Sequence, residues 1–347
     1  MRRILITGSN GFLGSHLIDW CISKEYEIYA LDRPTASFKN LIQYTNGSET
    51  FSKKDRKKIF GEKILINSNK TNLKFLECDL KNADLLERII KGLEPAYIFH
   101  FGAQPYIIHS WEDPKNTFEI NVLGTINVFE PLKKYNINSR VIMACSATEF
   151  GTTAELGNPL KESDRLLAIH PYGISKIAAE LLARQYFINF GIETINLRFF
   201  NLTGIRRIND APSDFIKKVA QIELGLTEPV IQVGNLNPFR DYINVKDAII
   251  AIWLAANKGI PGEVYHVCSG RKIQIRELLN IALSFSNKKI KVIENTPEKL
   301  RETDEDVIIG DNSKIKSELG WNNIHPIEDT LREMFNYWLE IYRKNIS

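Results

Sequence analysis

The chain has 347 residues, 44% of them hydrophobic and 25% charged, with a formal net charge of +3. That length supports a full core and two domains, since single domains usually run ~100 to 200 residues, and a small charge of mixed sign gives no warrant for a nucleic-acid partner. Cys21, Cys78, Cys145 and Cys268 are far apart with no C-x-x-C pair, which indicates neither a metal site nor a disulfide framework but buried thiols in a reducing cytoplasm. No apolar stretch approaches the ~18 residues that span a bilayer. Met1-Arg2-Arg3 leads straight into Ile4-Leu5-Ile6 and then a glycine loop, a pattern too short for a signal sequence, so neither membrane nor secretion is expected.

In chain order, short apolar runs predict strands at Arg3 to Thr7, Glu27 to Leu31, Leu73 to Cys78, Ala96 to Phe101, Arg140 to Cys145 and Glu193 to Phe199. Between them, helical spacing predicts helices at Gly11 to Ser23, Ala83 to Lys91, Pro114 to Tyr135 and Tyr172 to Phe190. This alternation is the signature of an α/β fold, a Rossmann-type doubly wound parallel sheet whose strands are covered on both faces. It predicts a dinucleotide-binding domain over residues 1–200, with an insert at about 35–72 that is longer than a normal connection. The insert carries Ser52-Lys53-Lys54-Asp55-Arg56-Lys57-Lys58, a mostly basic run that a short helix could hold and that is read as a solvated loop rather than a lid or docking element. From residue 201 the chain turns richer in Gly, Pro and Asn, with helices at Asp214 to Leu224, Val245 to Ala256, Ile275 to Phe285 and Pro326 to Tyr342. This predicts a second, smaller α/β lobe over 201–347, partly interleaved with the first.

Directly after the first strand comes Gly8-Ser9-Asn10-Gly11-Phe12-Leu13-Gly14. The first glycine permits a tight turn, the second lets the backbone approach a pyrophosphate, and the third lets helix pack on strand. The amides that open the next helix then face the phosphates. Asp32 ends the second strand about 20 residues on, where a carboxylate takes up ribose hydroxyls and repels a 2′-phosphate, so NAD is favoured over NADP. Arg33 follows and can pair with such a phosphate, which softens the exclusion. Asp79 after the third strand can bond the adenine amine or cap the helix near Ala83.

Tyr172 and Lys176 are spaced i, i+4 on a predicted helix and share a face. An ammonium and an oxidised nicotinamide nearby both favour the phenolate, which lets Tyr172 exchange a proton with a carbinol as hydride moves. Lys176 can also hold the nicotinamide ribose. The fifth strand ends in Cys145-Ser146-Ala147-Thr148-Glu149-Phe150-Gly151, at the carboxyl edge where open α/β sheets bind ligands. Ser146 or Thr148 there can polarise the reacting oxygen or simply cap the strand end.

These residues resemble the extended short-chain dehydrogenase/reductase family, the NAD-dependent epimerases and dehydratases of nucleotide sugars, over essentially the whole chain. The resemblance includes His100-Phe101-Gly102-Ala103-Gln104, Asn121-Val122-x-Gly124-Thr125 and Arg198-x-Phe200-Asn201-x-x-Gly204. Through Val233-Gly234-Asn235-Leu236-x-x-x-Arg240-Asp241, Tyr265-His266-Val267-Cys268-Ser269-Gly270 and Leu300-Arg301, the second lobe looks most like the GDP-mannose 4,6-dehydratase and GDP-4-keto-6-deoxy-mannose reductase branch. The resemblance implies cofactor contacts from Leu80, Phe101 and Ala103 besides the glycine loop, Asp32, Asp79, Tyr172 and Lys176. It implies substrate contacts from Gln104, Ser146, Asn201, Lys217, Arg240 and Arg301, a GDP-linked sugar as substrate, and a homodimer built on the Pro114 and Tyr172 helices.

One departure bears on the reaction. Family dehydratases place a proton-abstracting glutamate two positions before an aromatic and Gly, but here Thr148 stands at that position and Glu149 one later. On a strand, a one-residue slip points Glu149 to the opposite face. Gly204-Ile205-Arg206 likewise replaces the usual Gly-Pro. The expected activity is therefore reduction or oxidation at C4 of a nucleotide sugar. The alternatives are a 4-epimerase that keeps its NAD bound, a GDP-mannose 4,6-dehydratase, or a non-catalytic NAD-binding regulator.

Overall fold

The computed structural model describes residues 1–299 and 307–346. The chain forms two compact units that it enters more than once: one of residues 1–150, 166–198 and 249–265, the other of 151–165, 199–248 and the chain from His266 onward.

The first unit begins with β1 (Arg2–Thr7), whose Ile4, Leu5 and Ile6 are fully buried because helices cover both faces of a parallel sheet. It continues through α1 (Phe12–Cys21), β2 (Tyr26–Asp32), β3 (Lys57–Ile59), β4 (Glu62–Asn67), β5 (Leu73–Glu77), α2 (Ala83–Leu93) and β6 (Tyr97–His100). Next come α3 (Ile107–Glu112), α4 (Pro114–Phe118), α5 (Gly124–Lys134), β7 (Arg140–Ser146), α6 (Pro171–Phe190) and β8 (Thr194–Phe199). The remaining elements are β9 (Asn201–Thr203), α7 (Ala211–Glu223), β10 (Val230–Gln232), β11 (Phe239–Arg240), β12 (Tyr242–Asn244) and α8 (Val245–Lys258). They are followed by β13 (Val264–Val267), β14 (Ile273–Gln274), α9 (Ile275–Leu283), β15 (Lys291–Ile293), β16 (Val307–Ile308), α10 (Ser313–Leu319) and α11 (Ile327–Ile346).

A nine-stranded sheet runs β13-β8-β7-β6-β1-β2-β5-β4-β3. β1 pairs in parallel with both β2 and β6, so strand order reverses between β1 and β6 and opens a crevice at their carboxyl ends. One face of this sheet packs a core of Leu5, Leu31, Ile98 and Val141 against Leu86 and Ile89 of α2, Phe129 of α5 and Ala183 of α6. The second unit has its own core, in which Ile216 and Val219 of α7 meet Leu278 of α9 and Leu331 and Met334 of α11.

Three sequence expectations are corrected. The basic run at 52–58 is a turn leading into β3 rather than a helix, and the insert adds an antiparallel β3–β4 hairpin to the sheet edge. Lys53, Lys54, Lys57 and Lys58 face solvent, whereas Arg56 is drawn in by Glu77 of β5. The helix expected from Pro114 to Tyr135 is interrupted by a π turn at Glu119–Leu123, a feature frequent at functional sites. The helix near Ala83 is capped by Asn82, whose side chain accepts the Leu85 N–H, while Asp79 instead accepts the N–H of Lys81. All four cysteines are buried and unbridged, and burial pushes the Cys21 and Cys78 thiols up to about 12. Among the described residues no helix is long and apolar enough to cross a membrane.

Candidate functional site

The glycine turn sits where β1 ends at the sheet's reversal point. Gly8 has φ +67, and an added Cβ would come within 2.7 Å of the Gly102 nitrogen at the end of β6. Gly14 packs so closely that a Cβ would strike the Gly8 carbonyl and come within 2.7 Å of Ser9 Cα. α1 then starts at Gly11 with no side-chain cap and no acidic residue in its first turn, so the amides near Phe12 and Leu13 carry the positive helix end outward. Ser9 Oγ and both polar side-chain atoms of Asn10 are buried without a hydrogen-bond partner. Buried polar groups are normally satisfied, so this turn carries unmet bonding capacity, and its small, tightly packed backbone fits a dinucleotide pyrophosphate.

At the end of β2, Asp32 Oδ2 accepts the Asn10 N–H at 2.8 Å and Oδ1 accepts the Arg33 N–H at 2.9 Å. Burial raises the Asp32 carboxyl above its ordinary value, against those two amides. The insert closes on the same turn, since Asn40 Nδ2 donates to the Asn10 carbonyl at 2.9 Å. That contact was not foreseen from sequence, because Asn40 belongs to no recognisable motif. Arg33 is exposed. Leu80 is buried and its carbonyl accepts Asn127 Nδ2 at 2.8 Å. Phe101 and Ala103 are half-buried just beyond β6.

A directed chain of hydrogen bonds runs from the glycine turn to the π turn. Thr7 Oγ1 accepts the Gly102 N–H at 3.0 Å, so its hydroxyl proton goes to His100 Nδ1 at 2.8 Å. His100 Nε2 then donates to Thr125 Oγ1 at 3.1 Å, and Thr125 donates to the Asn121 carbonyl at 2.7 Å. Burial, and after it the Lys176 ammonium, lower the His100 pKa to about 3. Because that value lies below the ordinary imidazole pKa, the unfolded chain takes the proton first. This contribution to stability is complete above about pH 6.5 and is lost as pH falls below it, at up to about 1.4 kcal/mol per unit. His100→Gln keeps an acceptor and a donor but does not titrate. Its unfolding free energy, measured by urea titration between pH 7 and 5, is expected to fall less steeply than the wild-type value by about 1 kcal/mol per unit. Equal slopes would show that His100 takes up its proton over the same pH range in the folded protein as in the unfolded chain.

Asn121 in the π turn ties the β6 end to α6. Its side chain accepts the Gln104 N–H at 2.8 Å and donates to Ser175 Oγ at 2.9 Å, and Ser175 in turn donates to the Tyr172 carbonyl at 2.6 Å. Gln104, expected to touch substrate, spends its side chain on Tyr106 and Thr117 and holds its own loop.

α6 begins with His170, whose Nδ1 accepts the Gly173 N–H at 2.9 Å and whose ring stacks on Tyr172 at 6.1 Å between centroids. One turn on, Lys176 is buried and its Nζ donates to the Ala144 carbonyl of β7 at 2.8 Å. β7 ends at Ser146, where a short 3-10 turn begins. Ser146 Oγ and Thr148 Oγ1 are 2.8 Å apart, both half-buried. Gly173 lies against the Thr148 carbonyl, 2.8 Å from where its Cβ would be, so only glycine lets α6 approach this turn. Tyr172, Lys176, Ser146 and Thr148 thus belong to two packed elements of one unit. Glu149 is turned inward and fully buried, and Ser146 N–H donates to its Oε1 at 2.8 Å.

In the second unit, Asn201 donates to the Asp241 carbonyl at 3.2 Å, and Arg240 is buried with Nη1 on the Phe239 carbonyl at 2.9 Å. Lys217 on α7 lies over the Trp338 ring at 4.6 Å. Arg301 falls outside the described residues. Sequence reasoning missed the organiser here, Asp241, which accepts from Ser269 Oγ and N, Gly270 N and Gly310 N. Burial pushes its carboxyl up to about 6 despite these donors.

The model of the GDP-mannose 4,6 dehydratase family matches residues 5–334. A GDP-6-deoxy-D-mannose reductase of Pseudomonas aeruginosa is 27% identical over 70% of this chain and 80% of its own. A putative UDP-glucose 4-epimerase of Methanocaldococcus jannaschii is 28% identical over 96% of this chain and 97% of its own. The structure of RMD from Pseudomonas aeruginosa complexed with NADPH superposes with a TM-score of 0.79 at 24% identity, covering 98% of this chain and 100% of that one. The chain belongs to the GDP-mannose 4,6 dehydratase family, within the extended short-chain dehydrogenases/reductases.

Proposed function

We propose that this nucleotide-sugar-modifying enzyme oxidises or reduces C4 of a GDP-linked hexose, with NAD preferred to NADP. The observation that carries the reading is the pairing of α6 with the end of β7: Lys176 is fixed on Ala144, Tyr172 lies one turn before it, and the Ser146–Thr148 hydroxyl pair follows two residues after Ala144. A bound nicotinamide supplies the hydride acceptor or donor. Tyr172 moves the carbinol proton, the Lys176 ammonium favours its phenolate form, and Ser146 with Thr148 donates to the reacting oxygen. The glycine turn and Asp32 would hold the dinucleotide, and Asp79 would bond its adenine amine. Asn201, Lys217, Arg240 and Arg301 of the second lobe grip the nucleotide diphosphate and base, arginine forks matching phosphate oxygens.

Elimination of water needs a base at the Thr148 position, and Glu149, the nearest carboxylate in sequence, is buried away in the interior. The 4-epimerase is the second reading, favoured by Thr148 itself, since the run Ser-Ala-Thr-x-aromatic-Gly resembles that of UDP-glucose 4-epimerases. Incubation with a panel of GDP-, UDP- and CDP-sugars, with and without added NAD(P)(H), followed by mass spectrometry, separates these. Net oxidoreduction shifts product mass by two hydrogens with a change at 340 nm. Stoichiometric copurified NAD with no change at 340 nm selects the epimerase, and loss of water from GDP-mannose overturns both.

We also infer a homodimer. Ile174, Leu181 and Ile188 recur every seven residues along α6 and are 45%, 54% and 58% exposed, and Trp111 and Leu123 add to the exposed apolar surface. Leu181→Glu is expected to convert the dimer to monomer by light scattering behind size exclusion. A wild-type monomer would refute the assignment.

A further inference from the structure

Behind the Ser146–Thr148 pair lies a buried ion cluster that the proposed chemistry does not use. Arg198 of β8 donates to Glu180 of α6 through Nε to Oε2 at 2.8 Å and Nη2 to Oε1 at 2.6 Å. The same Nε is 3.5 Å from Glu149 Oε2, and the guanidinium lies over the Phe150 ring at 5.1 Å. Exposure is 0% at Glu149 and 4% at both Arg198 and Glu180. Two carboxylates share one guanidinium in a dry interior, where unpaired charge is costly. Burial, then repulsion from Glu180, hold Glu149 well above the usual carboxylate range, opposed by Arg198 and the Ser146 amide. Glu180 follows Tyr172 and Lys176 at successive i+4 steps, so one face of α6 carries all three.

We propose that Glu149 is a positioning residue: it bridges the Arg198–Glu180 pair to the Ser146 backbone and thereby fixes the turn that presents the Ser146 and Thr148 hydroxyls. This rests on reading those hydroxyls as donors to the reacting oxygen. A carboxylate shorter by one methylene cannot span both anchors, whereas an amide of equal length can accept from Ser146 and donate to Glu180.

The test uses Glu149→Asp, which retains the carboxylate, and Glu149→Gln, each by crystallography and kinetics. In Glu149→Asp the hydroxyls are expected to leave their 2.8 Å pairing. The value of kcat on the sugar that the wild type turns over falls roughly 10- to 100-fold, because misplacement of about 1 Å costs on that order. Its KM and NAD affinity stay within about threefold, as befits a loss confined to the transition state. Glu149→Gln is expected to restore both the pairing and most of kcat. Hydroxyls unmoved in Glu149→Asp overturn the proposal whether or not a substrate is found, and so does a Gln variant as impaired as Asp. Failure of the wild type on every nucleotide sugar instead sinks the functional reading, and the crystallographic comparison still decides the role of Glu149. Should Glu149→Asp not fold, Glu149→Gln decides alone: displaced hydroxyls or a kcat loss beyond about tenfold overturns the proposal, and intact pairing with near wild-type kcat supports it.

Discussion

Replacing Tyr172 with Phe is expected to lower turnover by about 10²- to 10⁴-fold while NAD binding stays at the wild-type level, the range over which a positioned acid or base contributes. The substitution removes one oxygen and leaves the ring, which stacks on His170 at 6.1 Å. The helix start does not depend on that oxygen: the capping contact is His170 Nδ1 with Gly173 N–H, and the link to the π turn runs through the Tyr172 carbonyl. Fold and dinucleotide site are therefore insulated from the change, and a loss of rate reports the proton path. Steady-state kinetics on the best sugar of the panel, beside calorimetric titration with NAD, gives both numbers. Turnover equal to wild type would eliminate the phenol as the acid/base.

The sheet and the glycine turn were readable because their signals are local. A run such as Ile4-Leu5-Ile6 can satisfy itself only between two covered faces, and the glycine spacing is dictated by backbone contacts that no other residue permits. The hairpin within the insert was not legible because the buried residues there are scattered. Phe38 packs edge-on against both Phe51 and Phe75, and the buried Ile64 and Ile66 alternate over only two periods, with a half-buried leucine between them that blurs the pattern. A segment that owes its order to the sheet it joins carries little periodicity of its own.

Glu149 illustrates a different limit. Strand alternation would point it to the face opposite Thr148, but β7 stops at Ser146 and the next three residues form a 3-10 turn, to which alternation does not apply. What turns Glu149 inward is Arg198, 49 positions later in the sequence, and sequence spacing contains no trace of that attraction. The π turn around Asn121 escaped for a related reason: its extra residue is stabilised by Gln104 and Ser175 on neighbouring elements, while the segment itself keeps helical composition.

Gly8→Ala is expected to weaken dinucleotide binding by at least about 100-fold, which corresponds to roughly 2.8 kcal/mol. Two costs add. At φ +67 a non-glycine residue carries a penalty of about 1–2 kcal/mol. The new methyl would also sit 2.7 Å from the Gly102 nitrogen and 2.9 Å from both Gly102 Cα and the Phe101 carbonyl carbon, all backbone atoms. They cannot retreat cheaply, because Gly102 N–H is bonded to Thr7 Oγ1 at 3.0 Å and Phe101 N–H to the Thr7 carbonyl at 3.3 Å. Relief comes only by shifting the turn, and in the proposed site that turn presents the α1 amides to the phosphates. Gly61→Ala separates the two costs: that glycine has φ +89 in the β3–β4 hairpin with nothing within 4 Å of its Cβ, so it suffers the backbone penalty alone. Titration of both variants with NAD and NADPH, alongside their thermal midpoints, should show a lowered midpoint in each and lost affinity only in Gly8→Ala. Wild-type affinity in Gly8→Ala would place the diphosphate somewhere other than this turn.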